Sequence, residues 1–250
     1  MSELSGLYAI WYREFKVFTR EKSRVISSLV YPLMWLVLFG GGLGASISLE
    51  GVNYQNYIFP GILAMVIIFS STFYGTYLIW DKRIDFLKEV LVAPLHRSTV
   101  FFGKVLGGLT DTLIQATVLL ILGLFIGFTS MTLSSLIISY VFLFVLAVGM
   151  VSVGLIIGSF MESPEGFGLI FSFFIYPMFF LSGALFPLDN LPAWLTLFTR
   201  IDPVTYAVDG LRGVMFGVSV HTIYFDLSVL TLFSLVSIFF GVKAFERMKF

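Results

Sequence analysis

The chain has 250 residues, of which 58% are hydrophobic and only 12% charged, and its mean hydropathy is +0.98. A water-soluble domain carries about 25% charge, so 15 basic and 15 acidic residues cannot cover a solvated surface on this chain. The lack of cysteine excludes disulfides and thiolate metal sites.

Residues 1–24 place Leu4, Leu7, Tyr8, Trp11, Phe15 and Phe18 at three- and four-residue spacings, with Arg13, Lys16, Arg20, Lys22 and Arg24 among them. That pattern predicts an amphipathic helix lying in a membrane interface, its cations near anionic headgroups. No cleavable signal peptide is expected, because no short apolar core precedes a small-residue cleavage site. Val25 to Leu49 carries no charge, and a first crossing is expected over residues 25–44, with Pro32 near its start. A short polar loop leads to a second crossing over residues 57–80. Residues 81–104 are too polar to span. Within them Phe86, Leu87, Val90 and Leu91 share one side of a short helix that stops before Pro94.

Thr112 to Met161 is a run of 50 residues without an acidic, basic or histidine side chain. It is too long for one crossing and suits two, placed at residues 106–128 and 133–160. Asp111 and Gln115 stand one helical turn apart toward the cytoplasmic end of the first of these, as candidates for a gating role or for an ordinary helix-end hydrogen bond. Gly166 to Leu188 is a further uncharged run of 23 residues, long enough to cross roughly 30 Å of hydrocarbon, and gives a crossing at residues 166–187. Residues 188–217 do not read as another crossing. Pro187, Pro192 and Pro203 interrupt them, and Asp189, Arg200, Asp202, Asp209 and Arg212 are spread along them at a depth where charge is costly. A segment that reaches the far side and dips back as short apolar pieces fits this pattern. The last crossing falls at residues 222–242.

With the N-terminus inside, every basic residue except Arg200 and Arg212 lies in a cytoplasmic segment, and the positive-inside rule selects that orientation. The expected fold is therefore all-α and polytopic: one membrane domain over residues 1–250, six crossings, an interfacial helix, a re-entrant helical hairpin and both termini cytoplasmic. No glycine-rich phosphate loop, H-E-x-x-H or G-x-S-x-G pattern occurs, so no catalytic residue is expected. His96 and His221 fall on opposite sides of the membrane and cannot share a metal ion, so no metal site is expected either. A repeated polar filter of the channel kind is absent too.

The order of these features resembles the membrane-spanning subunit of ABC-2 type exporters, a group that moves drugs, nodulation factors, polysaccharides and teichoic acids. The most specific match is FFLSGALFPLDNLPAWLTLFTRIDPVTYAVDGLRGVMFG. There Ser182-Gly183, Phe186-Pro187, Leu191-Pro192, Asp202-Pro203 and Asp209-Gly210-Leu211-Arg212 stand as in the family pattern. The connector, with Leu87, Leu91, Pro94 and Lys104, also matches. The resemblance implies a half-transporter working with a second permease subunit, identical or related, and with two copies of a separate ATPase that binds the ATP and magnesium. Membrane lipids are further partners; nucleic acid is not. It implies a coupling helix docked in the ATPase through Ile84, Phe86, Leu87, Glu89, Val90 and Leu91 and closed by Pro94. It also implies a gate motif of Gly183, Pro187, Leu191, Pro192, Asp202, Pro203, Asp209 and Arg212. Asp202 reads as a cap for a helix starting at Pro203. Asp209 and Arg212, three apart, can pair along one helix face, while Arg200 or Arg212 can instead meet an anionic group. The implied activity is export of an amphiphilic, hydrophobic or lipid-linked molecule across the cell membrane. Polysaccharide export and a non-transporting assembly role are the alternatives.

Overall fold

A computed structural model describes residues 2–42, 48–49, 52–127, 131–188 and 191–248. Among these the structure is helical apart from a two-residue antiparallel pairing of Ser48–Leu49 with Val52–Asn53, where the sequence suggested a loop. The helices are α1 (Glu3–Arg20), α2 (Lys22–Trp35), α3 (Tyr54–Phe73), α4 (Gly75–Arg83), α5 (Phe86–Val92), α6 (Arg97–Ile126) and α7 (Leu133–Phe160). They are followed by α8 (Pro164–Ile170), α9 (Tyr176–Leu181), α10 (Ala193–Ile201), α11 (Pro203–Phe216) and α12 (Ile223–Glu246).

Five rods among the described residues are long and apolar enough to cross a membrane: Tyr54–Arg83, Arg97–Phe125, Leu133–Phe160, Pro164–Leu181 and Ile223–Glu246. The protein is thus an all-α polytopic membrane protein with about five such helices. The expected crossing at residues 25–44 is a shorter apolar helix over Ile26–Phe39, and residues 43 and 44 lie outside the described part.

Several expected boundaries move, each for a local reason. The helix expected at 106–128 begins at Arg97, so residues 97–104 belong to α6 and the connector shrinks. Arg97 escapes the cost of a charged helix start by donating to the carbonyls of Phe245, Glu246 and Met248 at 3.3, 3.0 and 2.6 Å. This also caps the C-terminal end of α12, where a cation suits the helix dipole. Lys82 does the same for α7, donating to the carbonyls of Gly158 and Ser159 at 2.9 and 2.6 Å. The helix expected at 166–187 stops at Leu181, because Gly183 takes the left-handed conformation at φ 75° and turns the chain. The crossing placed at 57–80 runs from Tyr54 to Arg83 with a break at Tyr74, and the last one extends to Glu246.

Two π-helical turns interrupt otherwise regular rods, Leu36–Gly41 after Pro32 and Phe171–Ile175 before Pro177. Pro177, lacking an N–H, leaves a carbonyl one turn earlier, inside Phe171–Ile175, without its helical donor, and a widened turn is one way the ladder adjusts. At the centre lies α7, packed against α3, α4, α6, α11 and α12. Its approach to α4 depends on missing side chains. A Cβ on Gly75 would strike the Gly154 carbonyl, and one on Gly158 would strike the carbonyl of Gly75. Small residues in this register let two membrane helices touch backbone to backbone. The larger core joins α3, α7 and α11 through Phe59, Ile62, Phe142, Leu146, Val208 and Leu211. A second one gathers Ile10, Tyr74, Leu78, Leu87, Phe101 and Phe245 at the end where α1 and α5 lie.

Candidate functional site

Three places hold the candidate functional residues. The first is a charged cluster between α1, α4 and α6. The buried line on α1 is Gly6, Ile10, Glu14 and Phe18, whereas Leu4, Tyr8 and Tyr12 point out. The apolar spacing noted in the sequence therefore includes the outward face, and the protein side of α1 carries a carboxylate. Glu14 is 6% exposed, Asp81 4% and Lys104 1%. Lys104 Nζ donates to Glu14 Oε1 at 2.6 Å and also to Asp81 Oδ2. Arg13 donates to both Asp81 oxygens at 3.1 and 2.7 Å and to Glu14 Oε1 at 2.7 Å. Tyr74 Oη donates to the second Glu14 oxygen at 2.7 Å. Two cations and two anions thus close on one another, with Gly107 leaving room for Glu14 against α6. Burial pushes the Glu14 carboxyl up, but Lys104, Arg13 and the Tyr74 hydroxyl outweigh it and hold it at about 2.

The cluster continues into the connector. The Arg13 guanidinium lies 3.9 Å from the centre of the Phe86 ring, a cation–π contact on the first residue of α5. Asp85 at φ 58° makes the bend between α4 and α5, a conformation Asp tolerates. Leu87, expected on the contact face of the coupling helix, is 1% exposed and packs in the protein's own core. The outward side is Ile84, Lys88, Glu89 and Val92, with Pro94 exposed beyond them and Phe86 and Val90 half-buried. The Leu91 side chain lies outside the described part.

The second place is a cavity of about 490 Å³ between α2, α3, α6 and the Pro164–Leu181 rod. Tyr31, Pro32, Phe69, Phe73, Phe171 and Tyr176 give it an aromatic lining, and Ser27, Ser70 and Gln115 are polar points in it. Gln115 Nε2 donates to Asp111 Oδ1 at 2.5 Å and its carbonyl accepts from Ser70 Oγ at 2.6 Å. Because α6 starts at Arg97, Asp111 stands near the middle of this helix and not at its end. The π-helical turn Phe171–Ile175 borders the cavity through Phe171 and Ser172, which the hydropathy pattern gave no reason to expect.

The third place is the broken segment. Asp202 accepts from the Val204 N–H at 2.9 Å and caps α11, with Pro203 at its first position. Arg212 and Asp209 turn to different partners. Arg212 donates to the carbonyls of Gly183 and Tyr57 at 2.8 and 3.4 Å and stacks 3.8 Å from the Tyr57 ring centre. Asp209 accepts from the backbone N–H groups of Val220 and His221 at 2.9 and 2.8 Å. Gly183, Pro187, Arg200, Asp209 and Arg212 line one cavity of about 500 Å³. Leu191 is half-buried and Pro192 exposed at the start of α10, away from that lining. Arg200 is exposed, and its carbonyl accepts from Tyr206 Oη at 2.7 Å.

Residues 5–216 match the family model described as ABC-2 type transporter. A relative in Cyanophora paradoxa named as a transport permease, ycf38, is 31% identical over 215 residues, covering 84% of this chain and 73% of the relative. Nodulation protein J of Rhizobium meliloti (strain 1021) is 26% identical over 246 residues, covering 96% and 92%. The inner membrane transport permease YadH of Escherichia coli (strain K12) is 24% identical over 242 residues, covering 94% and 90%. The chain therefore belongs to the ABC-2 type transporter family, as the non-catalytic, multi-pass membrane permease subunit that such transporters pair with ATPase subunits.

Proposed function

We propose that this permease exports an amphiphilic or hydrophobic molecule, as one of two membrane subunits above two copies of an ATPase. In this reading six segments cross the bilayer, α2 with its π-helical turn being the first. Both termini and α5 face the cytoplasm, α1 lies in the inner interface, and α10 and α11 form a re-entrant hairpin. The outward Leu4, Tyr8 and Tyr12 on α1 support the interfacial placement.

The observation that carries the substrate class is the cavity of about 490 Å³, aromatic on its walls with serine and glutamine at a few points. An apolar pocket with a small number of placed polar groups suits an amphiphile more than a chain of sugars. ATP-driven closure of the ATPases would push on α5, and Phe86 passes that motion through Arg13 to the Glu14–Lys104–Asp81 cluster, hence to α1, α4 and α6 together. Reconstitution with the cognate ATPase in proteoliposomes tests this. Amphiphilic candidates should stimulate hydrolysis and accumulate on the side opposite the ATPase, and Phe69→Ala should weaken that stimulation. Stimulation by polysaccharide alone would overturn the substrate class.

A further inference from the structure

We infer that Asp209, His221 and Asp226 bind one divalent transition-metal ion of the zinc class, a role separate from the transport reading above. Helix α11 ends at Phe216, and Gly217 at φ 73° reverses the chain. The returning turn brings His221 back to Asp209, and Asp226 follows in the first turn of α12. Three side chains from three consecutive pieces of chain thus meet, with one ligand atom of each within 4.8 Å of the others.

Asp226 is what points to a ligand. It is 0% exposed, and neither of its carboxylate oxygens has a hydrogen-bond partner. A carboxylate taken out of water without a donor is strongly unfavourable unless a cation or a proton compensates it. The His221 ring stands beside it, with Nδ1 3.7 Å from Asp226 Oδ1 and 3.3 Å from Asp209 Oδ2, and the Asp209 carboxylate adds a second negative charge close by. Zinc holds nitrogen and oxygen ligands at about 2.0–2.2 Å, and a tetrahedral arrangement then sets them roughly 3.3–3.6 Å apart. The two spacings to His221, 3.3 and 3.7 Å, lie at and just beyond that range, and the whole set falls within 4.8 Å, so a small contraction would close it on an ion.

Charge and donor type agree. Two carboxylates and a neutral imidazole carry two negative charges, which one divalent ion balances. One nitrogen and two oxygens, without sulfur, select zinc-like ions over copper(I). The backbone N–H groups of Val220 and His221 fix the Asp209 carboxylate in place, as outer hydrogen bonds do for metal ligands. Asp209 and His221 also line the open cavity beside Arg212, so an ion has a way in and water can fill a fourth position. The sequence reading set metal binding aside for want of a second histidine on the same side; two aspartates from helices on either side of the turn take that place.

An ion here would tie α11 to α12. The test uses the full chain in nanodiscs, purified through a tag without histidine, stripped with chelator and dialysed against Zn²⁺. The expected result is about one Zn²⁺ retained per chain, and visible d–d absorption when Co²⁺ replaces it. His221→Gln and Asp226→Asn should each lower retention at least tenfold, while His96→Gln leaves it unchanged. If Asp226→Asn does not fold, His221→Gln, altering a side chain 40% exposed, decides alone. A chain that retains no Zn²⁺, or the same amount in His221→Gln as in the unaltered protein, overturns the site.

Discussion

Lys104 Nζ lies 2.6 Å from Glu14 Oε1, ninety residues away in sequence, and the two side chains are 2% and 5% exposed. The contact locks the helix lying along the bundle to a helix inside it. Lys104, Glu14 and Asp81 are shut off from water and stabilised by their neighbours, whereas the Arg13 side chain stays 32% exposed. Removing Lys104 would leave Glu14 and Asp81 with Arg13 as the cluster's one remaining cation and the Tyr74 hydroxyl as a further donor to Glu14. Breaking a buried ion pair by deleting one partner costs about 3–5 kcal/mol. Lys104→Met is therefore expected to lower the thermal unfolding midpoint clearly, in detergent or nanodiscs. Adding Glu14→Gln to it should recover part of the loss, since the two changes act on one network. Additive losses in that cycle would contradict the coupling.

The Glu14 carboxyl gives the same cluster a pH signature. Its value is lowered from 4.5 to about 2. A depressed carboxyl contributes stability that is fully present above its unfolded value and is lost as pH falls through the folded one. The window is thus pH 4.5 down to about 2, and the contribution above it is roughly 3 kcal/mol. The unfolding midpoint should drop between pH 5 and pH 3 more steeply in the unaltered protein than in Glu14→Gln. Parallel slopes would remove Glu14 from the account.

Much of the fold is legible in the sequence, because lipid selects long uncharged runs and those runs stand out. What the runs hide is where charged residues continue a helix. Arg97 and Lys104 read as connector, yet both lie in α6. Their partners are carbonyls at and just beyond the end of α12 and the Glu14–Asp81 pair, distant in sequence and invisible to a local window. Glu14 itself left a trace: it falls in line with Gly6, Ile10 and Phe18 at four-residue spacing, so a carboxylate occupied an inward stripe. The cap at Asp202 needs only Asp-Pro and is local, whereas the partners of Asp209 and Arg212 depend on turns at Gly217 and Gly183 that no helical spacing encodes.

The crossing of α7 over the α3–α4 junction makes a prediction independent of charge. A Cβ on Gly154 would stand 2.9 Å from Thr72 Cα and press on the Thr72 carbonyl, and Gly75 faces Gly154 in the same contact. Backbone on both sides cannot yield as a flexible side chain does. Gly154→Ala should cost about 1–3 kcal/mol, the usual effect of overpacking. Gly168→Ala, with nothing within 4 Å, serves as the control and should cost little. Equal midpoints for the two variants would mean that the helices do not approach this closely.

Helix α5 and the residues just before it have one side packed into the protein and one side left open. Leu87, 1% exposed, packs with Tyr74, Leu78 and Phe101, whereas Val92 is 87% and Ile84 65% exposed. A charge at position 87 would be buried without a partner, so Leu87→Asp should destabilise the permease itself and lower its yield. Val92→Asp and Ile84→Asp lose no internal packing and should leave the unfolding midpoint nearly unchanged. Their effect belongs to the complex: substrate-stimulated ATP hydrolysis in proteoliposomes should fall severalfold while the basal rate of the ATPase persists. Copurification of the ATPase separates weaker docking from lost transmission. If stimulated hydrolysis survives both substitutions in a folded, assembled complex, the outward face of α5 is not where the ATPase pushes.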